Sequence, residues 1–264
     1  MKKVFNRLYM GAIYAFLFAP ILVLIVFSFN ESKSRSNFTG FTLKWYKQLF
    51  SNELIMESLG NTILVAVVSS ICATVLGTVA AIGIHNLGKR KRSLMMNIAN
   101  LPVINPEIVT GVSMMILFVF IAGLLGIELG FWSVCCAHIT FCVPYVIMSV
   151  MPKLRQMDIS MYEAAQDLGC SPNKAFFKAV FPQITPGIFS GFLMAFTYSI
   201  DDFVITYFTS GASFPTLPTT IYSMTRMKVN PQINALSAII FVLVLIFLLI
   251  SNLSSGYSRK KDRF

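Results

Sequence analysis

Only 12% of the residues in this sequence are charged, and acids are the rarer sign: 11 Asp and Glu stand against 21 Lys and Arg in 264 residues. Water-soluble domains carry about 25% charged residues, so this chain lacks the polar surface that a globular fold in water needs. Reactive constellations are absent too. No Ser/His/Asp or Cys/His arrangement stands in a context that would activate a nucleophile, which excludes covalent catalysis and argues against an enzyme. The five cysteines, Cys72, Cys135, Cys136, Cys142 and Cys170, fall mostly inside apolar runs and form no secreted-type disulfide framework. A phosphate-cradling loop is missing as well. Gly83-Ile-His-Asn-Leu-Gly88-Lys89-Arg90 reads G-x-x-x-x-G-K, but Arg90 replaces the Ser or Thr that would ligate magnesium, and an apolar helix rather than a strand precedes it. The better reading is that Gly88 closes the second span with a left-handed cap and the basic cluster lies among lipid headgroups. No cofactor is expected in this chain, and it does not hydrolyse ATP alone.

No low-complexity tract, repeat or composition shift divides the sequence, so residues 1–264 are read as one transmembrane domain. Its longest polar stretches, Asn30–Leu59, Pro152–Pro186 and Thr209–Gln232, are too short for a separate catalytic domain.

What the sequence does have is apolar length: 56% hydrophobic residues and a mean hydropathy of +0.72. Crossing a bilayer takes about 17–25 such residues. Six runs meet that length, at Leu8–Phe29, Gly60–Ile84, Ile104–Gly126, Phe131–Val150, Gly187–Phe208 and Ile233–Leu253. An all-α polytopic membrane protein is therefore expected. The first run follows Lys2, Lys3 and Arg7 as a signal peptide would. It is longer than the usual h-region of about 7–15 residues and lacks a small-x-small cleavage site, so it is read as a retained helix.

Charge orients these spans. Lys2, Lys3, Arg7, the cluster Lys89–Arg92, Lys153, Arg155, Lys174, Lys178, Arg259, Lys260, Lys261 and Arg263 place fifteen of the 21 basic residues on one side. By the positive-inside rule that side, with both termini, is cytoplasmic. The basic pI of about 9.5 is thus topological and implies no nucleic-acid partner.

The polar stretch 152–186 holds the sharpest motif. It reads Met161-Tyr-Glu163-Ala164-Ala165-Gln-Asp-Leu-Gly169-Cys-Ser-Pro172, followed by Val180-Phe181-Pro182. Asp158 or Ser160 suits the cap of a short helix with an Ala-rich face, Gly169 its end, and Ser171-Pro172 the start of another. From the residues alone this helix is either an interfacial element or a docking element. The segment resembles the EAA loop of permease subunits in bacterial ABC importers: EAA, three residues, Gly, nine residues, then I-x-L-P. Glu163, Ala164, Ala165, Gly169 and Pro182 match, while Ala179 and Phe181 replace the isoleucine and leucine. The resemblance implies the type I (MetI-like) permease fold and a helix that docks into a separate ATPase, which carries the MgATP.

Ionisable groups inside a span cost about 2.5–3.5 kcal/mol each on insertion scales and mark function by default. Asp201 and Asp202 stand deep in the fifth run, and Glu107 follows Pro106 near the start of the third. Ser199, Asp202, Thr206 and Thr209 recur at helical spacing, with Tyr198, Phe203, Tyr207 and Phe208 around them. Carboxylates among aromatic rings suit a cationic amine and repel anions. The candidate pathway is therefore Tyr198, Asp201, Asp202, Thr206, Phe208 and Glu107. The competing reading is that one aspartate caps a break in the span or pairs with a neighbouring subunit.

Further resemblance attaches to Leu101-Pro-Val-Ile-Asn-Pro106-Glu107-Ile-Val, Tyr198-Ser-Ile-Asp201-Asp202-Phe-Val, Thr216-Leu-Pro-Thr-Thr-Ile-Tyr222-Ser-Met and Asn230-Pro-Gln-Ile-Asn234-Ala-Leu. These are similar to the PotC-type permease subunits of spermidine/putrescine importers, over nearly the whole chain. That implies a bacterial cytoplasmic-membrane complex of two related permease subunits, two ATPase copies and an external polyamine-binding protein, working by alternating access. Alternatives are the same architecture with another small cation or an anion as cargo, or an ion-coupled carrier or channel. Cys135, His138 and Cys142 share a helical face that could hold a metal, against the simpler reading of small-residue packing. Gly187-x-x-x-Gly191 and Gly126-x-x-x-Gly130 permit close helix approach.

Overall fold

The computed structural model describes residues 2–32, 37–227, 231–242 and 245. Helices account for nearly all of them. Residues 1–56 with 220–264 form one compact unit, and residues 57–219 another.

The first unit holds α1 (Lys2–Ser28), whose apolar side chains remain exposed along its span. Such an exposed apolar surface is suited to lipid or to another membrane helix. α1 ends where Asn30 is buried and organises the following turn. Its amide donates to the Asn37 carbonyl at 2.8 Å, its side-chain oxygen accepts from Thr39 N at 2.9 Å, and its own carbonyl accepts from the Trp45 indole at 2.7 Å. The buried Asn30 side chain and carbonyl thereby find partners, as buried polar groups must. The Trp45 bond anchors α2 (Lys44–Phe50) at the foot of α1.

The second unit carries the remainder of α3 (Glu53–His85), then α4 (Lys89–Ile104), α5 (Glu107–Leu125) and α6 (Phe131–Gln156). After these come α7 (Ser160–Asp167), α8 (Pro172–Ala175), a π-helical turn at Phe176–Val180, α9 (Phe181–Asp201), α10 (Val204–Thr209) and the start of α11 (Leu217–Met227). α12 (Pro231–Val242) belongs to the first unit.

α6 and α9 are the central pair of the second unit. Their seam is close: a Cβ on Gly187 would meet Lys153 Cγ at 2.8 Å and the Ser149 carbonyl at 3.0 Å, and one on Gly191 would meet Val146 at 3.2 Å. The small-x-x-x-small spacing at 187 and 191 thus lets two backbones approach within a membrane, where dispersion and not water exclusion drives packing. Ala73 and Ala81 of α3, Val146, Val150 and Leu154 of α6, and Ile184 and Ala195 of α9 complete the core.

Among the described residues, five helices are long and apolar enough to cross a membrane: Phe5–Ser28, Glu53–His85, Glu107–Leu125, Phe131–Gln156 and Pro172–Asp201. The sixth expected run, Ile233–Leu253, opens as α12 and otherwise lies outside the described residues.

Several expectations need correction. The basic cluster Lys89–Arg92 is the first turn of α4, not a loop. Leu94, Met95, Ile98, Leu101 and Ile104 give that helix an exposed apolar face, which its low overall hydropathy concealed. The third span starts at Glu107 and not at Ile104. Asn105 precedes a proline and is extended (ψ 139°), so the chain turns there. Gly88 is not a left-handed cap: its φ is −58° and it precedes α4. The end of α3 is instead covered by Arg92, whose guanidinium donates to the carbonyls of His85 and Leu87. The fifth span is not continuous to Phe208. It breaks at Asp202.

Candidate functional site

The break in the fifth span is built around Asp202. α9 ends at Asp201, Asp202 adopts an extended conformation (ψ 119°), and α10 begins at Val204. A helix restarting inside a membrane exposes N–H groups that no water can satisfy. Asp202 supplies the acceptors: Oδ1 takes the Ile205 N–H at 3.3 Å, and Oδ2 takes the Thr206 N–H at 2.7 Å and the Thr206 hydroxyl at 2.8 Å. This is N-cap chemistry performed by a buried carboxylate.

His138 of α6 reaches the same carboxylate. Its Nε2 lies 3.4 Å from Asp202 Oδ2 and 2.8 Å from Thr206 Oγ1, and its Nδ1 lies 2.7 Å from Ser199 Oγ. Ser199 Oγ is in turn 3.0 Å from Ser69 Oγ on α3. The His138 and Asp202 side chains are only 2% and 4% exposed. Four helices, α3, α6, α9 and α10, thus share one polar network. The spacing Ser199, Asp202, Thr206, Thr209 is a real stripe, but it turns toward α6 and α3 instead of an open lumen; Ser199, Thr206 and Thr209 are buried. Cys142 does not join His138 in a metal set. It hydrogen-bonds the Ala195 carbonyl at 3.4 Å, and no group of three metal-ligating side chains occurs among the described residues.

Asp201, one residue earlier, points elsewhere. It is exposed and makes no hydrogen bond or ion pair among the described residues. Tyr198, three positions before it and so on the same helical face, is also exposed and stacks on Tyr145 of α6 with ring centroids 4.3 Å apart. Glu107, exposed at the start of α5, lies within electrostatic reach of the Tyr145 hydroxyl. Phe208 packs against α5 at Gly111, where an added Cβ would stand 3.0 Å from the ring. The structure therefore brings Tyr198 and Glu107 to Tyr145, leaves Asp201 on the Tyr198 face of α9, and turns Asp202 and Thr206 into the buried network instead. Tyr145 and Ser69 escaped the sequence reading, since nothing in an apolar run marks which face meets which. His138 carried a signal, as one of two histidines and an ionisable group within a span.

A second constellation lies between α6 and α9. Asp158 Oδ1 accepts from the N–H and hydroxyl of Ser160 at 3.0 and 2.7 Å, which closes the start of α7. The two bonds to Ser160 hold the Asp158 carboxyl below the ordinary aspartate pKa. α7 ends in a Schellman arrangement: Cys170 N–H bonds the Ala165 carbonyl at 3.1 Å and Gly169 N–H bonds that of Gln166 at 2.8 Å. Gly169 has φ +84°, a conformation costly to any residue with a Cβ. Pro172 opens α8 and Pro182 opens α9. Tyr162 packs into the core, leaving Met161, Glu163, Ala164, Asp167 and Leu168 outward, with Leu168 86% exposed.

A bundle of apolar helices with one broken, acid-bearing span and a short exposed helix between two spans defines a membrane permease subunit. Residues 73–261 match the family of binding-protein-dependent transport system inner membrane components, and the chain belongs to that family. The spermidine/putrescine transport system permease protein PotC of Escherichia coli K12 is 39% identical over 245 residues, covering 93% of this chain and 91% of its own. The putrescine transport system permease protein PotI of the same strain is 39% identical over 230 residues, covering 86% and 82%. A chain of a bacterial ABC transporter for import of the acidic polysaccharide alginate shares the fold, with a TM-score of 0.70 at 14% identity and coverage of 97% and 95%. The protein is thus an all-α permease of the type I ABC-importer fold, a transport subunit and not an enzyme.

Proposed function

We propose that this chain is the translocating subunit of an ATP-driven importer for polyamines. The observation that carries this reading is Asp201: an exposed carboxylate inside a span, one turn from the stacked tyrosine pair that Glu107 also reaches. A carboxylate beside aromatic faces attracts an ammonium group by charge and by cation–π contact, each modest and reversible. Weak sequential contacts suit a cargo that must leave as readily as it enters. A flexible chain with several ammonium groups fits such a path, and the likeness to spermidine and putrescine permeases supports the same cargo.

In this reading both termini are cytoplasmic, which puts α7 on the ATPase side. Glu163, Ala164, Ala165 and Gly169 then form the docking helix, with Pro182 fixing the following span. Small side chains at 164 and 165 permit close seating in a groove of the partner, and Leu168 adds an apolar contact. A related permease subunit, two ATPase copies holding MgATP and an external binding protein complete the complex. ATP-driven closure of the ATPase pair moves the docking helix, and the pathway changes its side of access.

Uptake of labelled spermidine and putrescine, in cells with and without this gene and with other polyamine systems removed, tests the reading. Uptake that needs both the gene and ATP supports it. Unchanged polyamine uptake, or gene-dependent uptake of an anion, overturns the cargo and leaves the permease fold in place.

A further inference from the structure

The network beneath the break can be counted proton by proton. Five contacts run in series: Ser69 Oγ to the Val65 carbonyl at 2.6 Å, Ser69 Oγ to Ser199 Oγ at 3.0 Å, Ser199 Oγ to His138 Nδ1 at 2.7 Å, His138 Nε2 to Thr206 Oγ1 at 2.8 Å, and Thr206 Oγ1 to Asp202 Oδ2 at 2.8 Å. Each contact needs one hydrogen between its atoms. The carbonyl supplies none and each hydroxyl supplies one. Three hydroxyls serve three contacts, so His138 and Asp202 together must supply the other two hydrogens. Ser69 donates to the carbonyl and Ser199 to Ser69, which leaves the third contact to a hydrogen on His138 Nδ1. The last hydrogen sits either on His138 Nε2, giving imidazolium beside carboxylate, or on Asp202, giving imidazole beside carboxylic acid. In both placements the pair has no net charge.

We infer that His138 and Asp202 form a charge-neutral latch that holds the break in the fifth span, so that Asp202 is a positioning residue and Asp201 is the acid of the pair that meets the cargo. The division follows from geometry. Every acceptor site used on Asp202 is turned toward backbone N–H groups, Thr206 or His138, and its side chain is sealed from outside. Asp201 has none of these partners and stands at the last residue of α9, where the latch fixes the direction in which the helix ends. The groups facing the latch come from every element around it: Ser69 of α3, Cys142 of α6, Ser199 of α9 and Thr206 of α10, none of which adds a charge. A neutral latch avoids the cost of a lone ion within the membrane, and breaking one half of it leaves the other half's buried polar atoms without their partner.

The assignment of Asp201 rests on the proposed polyamine cargo, whereas the latch does not. The test is a cycle of Asp202→Asn, His138→Gln and the double variant, beside Asp201→Asn, in the complete transporter with its partner subunits. Labelled spermidine uptake gives KM and Vmax. We expect Asp201→Asn to raise KM about tenfold or more, the loss of one cargo charge pair. Asp202→Asn and His138→Gln each leave the other member of the latch without its buried partner, and lower Vmax with KM within about twofold of wild type. The double variant leaves neither a carboxyl nor an imidazole without its partner and recovers several-fold in Vmax over either single variant. A KM for Asp202→Asn raised as far as that of Asp201→Asn overturns the division. So does a double variant no better than the worse single one. Should the wild-type complex carry no polyamine, the cargo reading fails by itself. Thermal unfolding of the purified complex then decides the latch: a double variant that melts above both singles supports it, and additive losses overturn it.

Discussion

Two segments of this chain stop a helix and restart another within a few residues, and they solve the same problem by opposite means. At Leu168–Ser171 the carbonyls left by α7 are closed by a left-handed glycine and two backbone bonds, and the side chains stay outward. At Asp202–Phe203 the N–H groups of α10 are closed by a carboxylate that is itself held by a histidine, with the side chains sealed inward. The difference is the solvent. Water satisfies what the backbone of an exposed turn leaves over, so a local device suffices there. Hydrocarbon satisfies nothing, so a break within a span has to recruit partners from neighbouring helices. One segment therefore leaves a free surface for a partner, while the other ties four helices together.

That contrast is open to test, beginning with the seam that joins the two segments. Gly187→Leu drives a side chain into Lys153 and the Ser149 carbonyl of α6. Overpacking of this kind costs about 1–3 kcal/mol and often more, and we expect most of the folded chain to disappear from detergent extracts analysed by size exclusion. Gly169→Val forces a β-branched residue to φ +84° without touching the buried network. We expect normal membrane abundance and a fall of roughly 5- to 150-fold in binding-protein-stimulated ATP hydrolysis, the range of typical coupling energies. Normal coupling in that variant would remove α7 from the docking role. Tyr198→Ala deletes one ring of the pair beside Asp201. A cation–π contact of about 0.5–2 kcal/mol predicts a spermidine KM a few-fold to thirtyfold higher, with Vmax retained and Tyr198→Phe near wild type. The smallest effect belongs to Asp158. Its carboxyl has a depressed pKa in the folded chain, so its contribution is fully present above the ordinary aspartate value and is lost as pH falls through the folded one. Hydrogen exchange in the first turn of α7 should quicken in Asp158→Ala at neutral pH, and in wild type only under strong acid.

Much of this was legible beforehand for identifiable reasons. The short helix, its glycine end and its proline restart were readable because each is a local rule: a left-handed position favours glycine, and proline fits a first helical turn. The α4 helix was hidden because its four leading basic residues lower its hydropathy and resemble a headgroup-facing loop. The stripe Ser199, Asp202, Thr206, Thr209 was correct as a spacing and misleading as a direction. Periodicity states that residues share a face, and it does not state whether that face meets a pathway or a neighbouring helix. For the same reason Asp201 and Asp202, adjacent and chemically alike, were inseparable in sequence, although a break between them sends their side chains apart.

Composition and order along the chain determined that this protein crosses a membrane by apolar helices, that its basic residues cluster between particular spans, and that a helix–glycine–proline segment lies between the fourth and fifth. Those properties depend on transfer free energy and on backbone preferences of residues close in sequence. Tertiary structure decided that His138 meets Asp202, that Tyr145 stacks on Tyr198, and that Gly187 and Gly191 press on α6. Each of these joins residues about 35–65 positions apart, and helix rotation inside a bundle depends on packing against partners that no single segment contains.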